Sequence, residues 1–181
     1  KSQSYIHHFF EGLKDKEVLV HVPNSDYQTH LKMRRYNFFT KNFMHKVLFI
    51  RRINQLLWRV CIRIQKELHI CRNRNQSYTN AANWVSITGK CIGYLLQIKK
   101  DVLRKYRFTL CDEFFIPSEL GKSYLKDRIY YDDKLLKCDF DGGSNPRIYH
   151  LGDYDELISS GCLFARKFSY TDMHIVDKIL I

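Results

Sequence analysis

The hydrophobic positions of this chain alternate between helical and strand spacing. Apolar residues in 4–13 recur every three or four positions and predict a short helix, whereas 17–22 is alternating and β-branched and predicts a strand. The Pro-Asn-Ser-Asp sequence at 23–26 predicts a turn. The longest pattern covers 46–70 and predicts an amphipathic helix with cations mostly opposite one apolar row, namely Phe49, Ile53, Leu56, Leu57, Val60, Ile64 and Leu68.

The second half of the chain continues the alternation in shorter pieces. Polar residues at 73–80 predict a loop, and Thr88 is a suitable first cap for a helix that continues to about residue 105. Asp153 and Glu156 form a capping-box pattern for a helix that Gly161 would end. A final helix is predicted at 172–180, and strands are predicted at 129–131, 135–140, 147–151 and 162–168. We therefore expect an α/β fold in a single domain covering 1–181.

Composition and cysteine spacing narrow the class of protein. A hydrophobic content of 45% with 14% aromatics, over 181 residues, is typical of one folded domain. The chain contains no apolar run long enough to span a membrane. Its six cysteines stand singly, without the spacing of a zinc site, which favours a reducing compartment, although an even number also permits disulfides.

The positive charge is concentrated in one block. Between His30 and Asn75 there are 12 lysines and arginines against the single acid Glu67, whereas the rest of the chain holds 18 basic and 18 acidic residues. Such a block favours an anionic partner, either nucleic acid, an acidic membrane face or an anionic glycan, but it is also typical of a solvated helix face. The 46–70 helix could lie on anionic lipid with its cations at the headgroups.

Asp112 and Glu113 stand between two apolar runs, where a carboxylate can project into a cleft. A second interpretation is that Asp112 caps a helix and that Glu113 interacts favourably with the positive N-terminal end of the helix dipole. The neighbouring segments occur in a specific order. They are Ala-Ala-Asn-Trp-Val-Ser-Ile-Thr at 81–88, Asp-Glu at 112–113, Pro-Arg at 146–147, Gly-Asp-Tyr-Asp-Glu-Leu at 152–157 and Leu-Phe-Ala-Arg-Lys-Phe at 163–168.

In this order and spacing the chain resembles the core-2/I-branching β-1,6-N-acetylglucosaminyltransferases, glycosyltransferase family 14, which are related to the peptide xylosyltransferases. The resemblance covers nearly the whole chain, most firmly 83–168, and points to a bacterial-type member. It implies the C-terminal part of a GT-A-like domain with a mixed sheet flanked by helices. The donor-nucleotide half would lie upstream of Lys1, so we expect a fragment or a truncated, inactive relative.

The resemblance also implies the chemistry. An acceptor hydroxyl of a glycan would displace UDP from a UDP-sugar, N-acetylglucosamine or xylose, with inversion. Glu113 matches the family's catalytic base, while Lys167 and Arg147 match the side chains that bind the diphosphate. These cations would replace a metal ion, so no cofactor is expected. Lys167 should then face the same concavity as Glu113.

Arg35, Tyr36 and Trp84 match the acceptor side of the family cleft only weakly. For Arg35 and Tyr36, a basic loop leading into a packed helix is an alternative. Two departures from the family pattern, Ala81 for glycine and Val85 for an aromatic residue, either alter the acceptor site or are tolerated packing. Arg166 should face solvent or an acid such as Glu156, because it alternates with Lys167 in an extended segment.

Two Asp-x-Asp sequences, Asp139 with Asp141 and Asp153 with Asp155, are the carboxylate pairs that could hold Mn²⁺ or Mg²⁺. Both follow the presumed base, whereas a nucleotide-sugar metal motif normally precedes it. Helix capping explains the second pair and a turn follows the first, so no metal site is expected.

The competing functional class is a non-catalytic basic module that binds nucleic acid or an anionic membrane. The ordered segments around Glu113 and Lys167 favour the transferase, because a charge-only binder does not need them. We therefore expect a UDP-sugar and a glycan as partners, without nucleic acid. The expected location is the bacterial cytoplasm, with peripheral membrane contact, or the Golgi membrane of a eukaryote.

Overall fold

The computed structural model describes residues 2–22, 26–142 and 145–180, which form helices and short strands. In chain order they are α1 Gln3–Gly12, β1 Glu17–His21, α2 Asp26–Met33, α3 Leu48–Glu67, β2 Ala81–Ser86, α4 Gly89–Gln97, α5 Lys99–Lys105, α6 Phe115–Leu120, β3 Ile129–Tyr131, β4 Leu136–Lys137, α7 Tyr154–Ser159, β5 Phe164–Ala165 and α8 His174–Leu180. The α/β prediction is thus confirmed at the level of mixed helices and strands. Of the predicted turn, 23–25 lie outside the described residues and Asp26 begins α2.

The chain divides into two compact units, and the chain passes more than once between them. Unit 1 comprises Lys1–His21, Trp84–Thr88 and Arg128–Ile181, whereas unit 2 comprises Val22–Asn83 and Gly89–Asp127. The single domain expected over 1–181 stays a prediction.

Unit 1 contains short strands, of which the β1–β3 and β4–β5 pairs are parallel. β1 pairs with β3 in the register Glu17 to Ile129, and the strand order of this sheet is β2-β1-β3. β4 pairs with β5, also in parallel, and an isolated bridge joins Tyr149 to Phe168. The strand predicted at 129–131 is confirmed. Those predicted at 135–140 and 162–168 are reduced to two residues each, and 147–151 contributes only the bridge at Tyr149.

The core of unit 1 lies under α7 and α8. Tyr149, Leu157 of α7 and Ile175 of α8 are buried together in one hydrophobic cluster. Asp153 directly precedes α7, but its carboxylate accepts the backbone N–H of His150 at 2.8 Å rather than capping the helix. Gly161 has a φ of +73° just after α7, a conformation that favours glycine, so the predicted end of this helix is confirmed.

Unit 2 has an aromatic core. Met33 at the end of α2 packs with Tyr78, Tyr106 and Phe114. The single helix predicted from Thr88 to about residue 105 is interrupted at Ile98, which separates α4 from α5. The predicted loop at 73–80 has no regular structure, as expected.

Candidate functional site

Glu113 lies in the turn that precedes α6 in unit 2. Its Oε2 is 2.7 Å from the ammonium of Lys32 on α2, and 32% of the Glu113 side chain is exposed. The carbonyl oxygen of Glu113 accepts the backbone N–H of Ala81 at 2.9 Å, and the next residue, Phe114, is fully buried. The side chain of Glu113 is therefore held by Lys32 and its backbone by Ala81, while the side chain remains partly exposed to solvent.

Asp112 does not cap a helix. α6 begins at Phe115, and its N-terminal cap Phe114 offers no side-chain hydrogen bond. Asp112 instead accepts a hydrogen bond of 3.3 Å from the Asn83 side-chain amide. The capping interpretation of Asp112 is therefore wrong. Lys32 was missed from the sequence because 81 residues separate it from Glu113 and no local spacing signals the pair.

Arg147 belongs to a network of ions in unit 1. Its Nη2 lies 3.0 Å from Asp153 Oδ1 and 2.8 Å from Glu156 Oε2. Lys137 joins the same network, 3.0 Å from Glu156 Oε1 and 2.9 Å from Asp139 Oδ2. These five residues are called the ion network below. Its three carboxylates offset its two cations, so the Arg147 guanidinium is already paired.

The ion network perturbs the groups that form it. A hydrogen bond from Lys137, aided by one from the Tyr149 hydroxyl, lowers the pKa of Asp139. Hydrogen bonds from Lys137 and then Arg147 lower the pKa of Glu156. Burial, with the hydrogen bond to Asp139, raises the pKa of Tyr149 to about 12. The lowered pKa values of Asp139 and Glu156 favour the ionised form of these two carboxylates.

One aspartate of each Asp-x-Asp sequence belongs to this network. Asp139 is bound to Lys137 and Tyr149, while Asp153 is bound to Arg147. Within the described residues, no group of three or more His, Cys, Asp or Glu side chains is placed to hold a metal ion.

Lys167 is exposed, and its ammonium has no hydrogen-bond or ion-pair partner among the residues that the structure describes. Its backbone is fixed next to the ion network, since its N–H donates to the Arg147 carbonyl at 3.1 Å and its carbonyl accepts from Tyr149 at 2.9 Å. The Arg166 guanidinium lies 5.4 Å from the ring centre of Trp84 and is half-buried. The expectation that Arg166 faces solvent or Glu156 is therefore wrong.

The acceptor candidates differ in accessibility. Trp84 is 44% exposed, whereas Arg35 is only 8% exposed and donates to the carbonyl oxygens of Gln65, at 2.8 Å, and of Ile70. The Tyr36 ring stacks on Phe38 with 5.8 Å between the ring centres. In unit 2, Arg35 thus binds backbone carbonyl oxygens at the C-terminal end of α3. This agrees with the alternative of a basic loop leading into a packed helix.

A basic concavity of about 520 Å³ opens beside this loop in unit 2. Burial, followed by the nearby charges of Arg35 and Arg34, lowers the pKa of His30 at its edge. The concavity was missed from the sequence because its lining comes from two stretches, 30–35 and 66–74, that are far apart in the chain. The lining residues are His30, Arg35, Lys66, Glu67, His69, Cys71 and Arg74.

The structure brings Lys167 beside the backbone of Arg147, and it gives Trp84 the neighbouring cation Arg166. It places Glu113 in unit 2 with Lys32. No helix in the described part of the chain is long and apolar enough to cross a membrane. Comparison of the chain with protein-family models, with curated proteins and with solved structures gives no match, so the resemblance to glycosyltransferase family 14 stays a prediction drawn from the residues.

Proposed function

We propose that this protein is an inverting glycosyltransferase with a GT-A-like domain. It would transfer N-acetylglucosamine or xylose from a UDP-sugar to a hydroxyl of a glycan acceptor. The observation that carries the proposal is the state of Glu113, a partly exposed carboxylate whose Oε2 is ion-paired while Oε1 has no ion pair among the described residues. Glu113 lies within the ordered series of segments that resembles the family.

Glu113 would act as the general base. An ionised carboxylate is the form that pairs with an ammonium, and it is also the form that accepts a proton. Lys32 contacts Oε2 at 2.7 Å, so Oε1 is the oxygen that can receive the proton of the acceptor hydroxyl. A positioned base of this kind typically contributes a rate factor of about 10²–10⁴.

Lys167 would stabilise the departing diphosphate. Its exposed ammonium has no ion pair to break among the described residues, so its charge is available to a ligand. Arg147 would have to leave Asp153 and Glu156 before it could bind phosphate. We therefore assign the leaving-group charge chiefly to Lys167, with Arg147 positioning the Lys167 backbone through its carbonyl oxygen.

Trp84 would contribute to the acceptor site. Aromatic rings provide an apolar face for sugar rings, and 44% of Trp84 is exposed. Arg166 lies 5.4 Å from the centre of the indole ring, and an acceptor sugar would contact the exposed part of that ring. A transferase of this kind would use the diphosphate-binding cations in place of a metal ion.

The proposal is tested by incubating the full-length protein with UDP-N-acetylglucosamine or UDP-xylose and a panel of saccharide acceptors. We expect UDP release coupled to a glycosylated acceptor, detected by mass spectrometry, with at least one of these donors. Reactions without acceptor serve as the control for donor hydrolysis. Absence of transfer from both donors, with a protein that remains folded by circular dichroism, would overturn the proposal.

A further inference from the structure

Helix α3 contacts its own unit through its polar side. Gln65 is 6% exposed and exchanges two hydrogen bonds with the backbone of Tyr36, at 2.8 and 2.9 Å. The indole N–H of Trp58 donates to the Asn37 side chain at 2.9 Å. Arg35, also buried, donates to the Gln65 carbonyl. The inner face of this helix is thus held by polar contacts.

The apolar side of α3 is exposed, opposite to the usual arrangement of an amphipathic helix. Phe49 is 72% exposed and Leu56 is 59% exposed. At 100° per residue these positions fall on one stripe that follows the whole helix, a length of about 30 Å for 20 residues. We call this the apolar stripe, and it consists of Phe49, Ile53, Leu56, Leu57, Val60 and Ile64.

A row of cations lies along one edge of the apolar stripe, so the prediction that these cations lie mostly opposite it is wrong. Arg52, Arg59, Arg63 and Lys66 are all exposed, and at helical spacing they fall within one narrow sector beside Leu56. None of the four forms an ion pair with a residue that the structure describes. The only acid of the helix, Glu67, stands at its last position. We call these four residues the cationic row.

We propose that α3 binds the surface of an anionic phospholipid bilayer. The apolar stripe would enter the boundary between headgroups and acyl chains, and the cationic row would contact lipid phosphates and carboxylates at headgroup level. Charge complementarity favours this partner over a second copy of the chain, because the α3 helix of a second copy would offer the cationic row no acid other than Glu67. Nucleic acid would pair with the cations but leave the stripe in water. This inference does not depend on the transferase activity.

The apolar stripe and the cationic row would contribute separately to the affinity for a bilayer, and each contribution can be tested. Apolar burial requires a lipid phase whatever its charge, whereas the cations require anionic headgroups and lose strength as salt rises. A bilayer contact therefore needs both, and removal of either should weaken it. A purely electrostatic contact with nucleic acid would depend on the row alone.

The test is co-sedimentation of the full-length protein with vesicles of phosphatidylcholine, with or without added phosphatidylserine. We expect at least tenfold tighter binding to the phosphatidylserine vesicles, weakened by high salt. The double variants Phe49→Ser/Leu56→Ser and Arg52→Glu/Arg59→Glu should each reduce that binding at least tenfold. The matched control is Ile92→Ser/Leu96→Ser, which alters exposed apolar residues of α4 and should bind as the parent does.

Tryptophan fluorescence of two single variants tests the proposal if a double variant does not fold. Leu56→Trp should show fluorescence that brominated phosphatidylserine vesicles quench beyond the parent's own quenching, whereas Leu96→Trp should not. Equal binding of all double variants to vesicles would overturn the proposal. So would a protein that ignores the vesicles and binds duplex DNA independently of Phe49 and Leu56, or one that dimerises through them.

Discussion

The ion network around Arg147 and the pair formed by Glu113 with Lys32 use charge in different ways. In the network, each cation contacts two carboxylates, and the Tyr149 hydroxyl adds a further hydrogen bond to Asp139. Glu113 has one cation on one oxygen. Charges that satisfy each other stabilise the fold, whereas a carboxylate with an open oxygen can also act on a ligand. Arg147 should therefore matter mainly for structure and Glu113 mainly for turnover.

The largest expected effect is on turnover. Glu113→Gln in the full-length enzyme should lower kcat by roughly 10²-fold or more, because the amide cannot accept the acceptor's proton. The KM for the UDP-sugar should change little, since the base faces the acceptor. Steady-state assays of UDP release measure both constants.

Glu11→Gln, at an exposed carboxylate of α1, is the matched control for Glu113→Gln and should leave turnover unchanged. A Glu113→Gln enzyme with activity within about threefold of the parent would remove Glu113 from the mechanism.

The next effect concerns the leaving group. Lys167→Ala should lower kcat/KM by an amount equivalent to about 2–4 kcal/mol of transition-state stabilisation, the usual scale for a preorganised charge. Arg166→Ala is the matched control, because it removes the neighbouring cation and its contact with Trp84, which is worth about 0.5–1 kcal/mol. Equal losses in kcat/KM from the two variants would show that Lys167 has no special role.

A smaller effect is expected on stability against acid. The pKa of Asp139 is lowered in the folded protein, chiefly by Lys137, so its contribution is present at neutral pH and is lost as pH falls through that pKa. Asp139→Asn should lower the free energy of unfolding at pH 7 by about 0.5–1 kcal/mol, given the screening of a partly exposed pair. Urea unfolding at neutral and strongly acidic pH measures the difference.

Asp141→Asn is the control for the acid experiment, because Asp141 is exposed and makes no direct contact in the ion network. Its stability should follow the parent at both pH values. If Asp139→Asn were destabilised by the same amount in strong acid as at neutral pH, the ionised carboxylate would not be the stabilising group.

The smallest expected effect is that of metal removal. Turnover of the full-length enzyme should persist in excess EDTA, because Lys167 supplies the positive charge at the diphosphate. Initial rates with EDTA, and with EDTA followed by Mn²⁺, provide the comparison. Activity that is lost in EDTA and restored by Mn²⁺ would contradict the assignment and indicate a metal site, for which Asp139 and Asp141 are candidates.

Periodicity predicted several elements well but not the side on which they pack. The helix expected at 46–70 forms as α3 Leu48–Glu67, yet its buried residue is Gln65 and its apolar stripe is exposed. Hydrophobic periodicity in a sequence shows that a helix has an apolar and a polar face, but it does not show which face packs against the rest of the chain. α2 was missed because only Thr29 and Met33 of its eight residues are buried, too few to give a helical pattern.

The candidate site was predictable where its residues are close in sequence. Lys167 and Arg166 are adjacent in sequence. The contact of Arg166 with Trp84, however, joins residues 82 positions apart, and the alternation of side chains along a strand cannot predict it. The Lys32 partner of Glu113 and the Lys137 partner of Glu156 are likewise long-range contacts. Such pairs are set by tertiary packing, which a single sequence does not reveal through local spacing.

The most direct test of the central claim is the anomeric configuration of the product. Nuclear magnetic resonance of the glycoside formed from an α-linked UDP-sugar by the full-length protein reports whether the anomeric carbon was inverted. A single displacement assisted by Glu113 predicts a β-linked product, formed roughly 10²-fold or more slowly by Glu113→Gln. An α-linked product, or a β-linked product formed equally well by Glu113→Gln, would contradict the account.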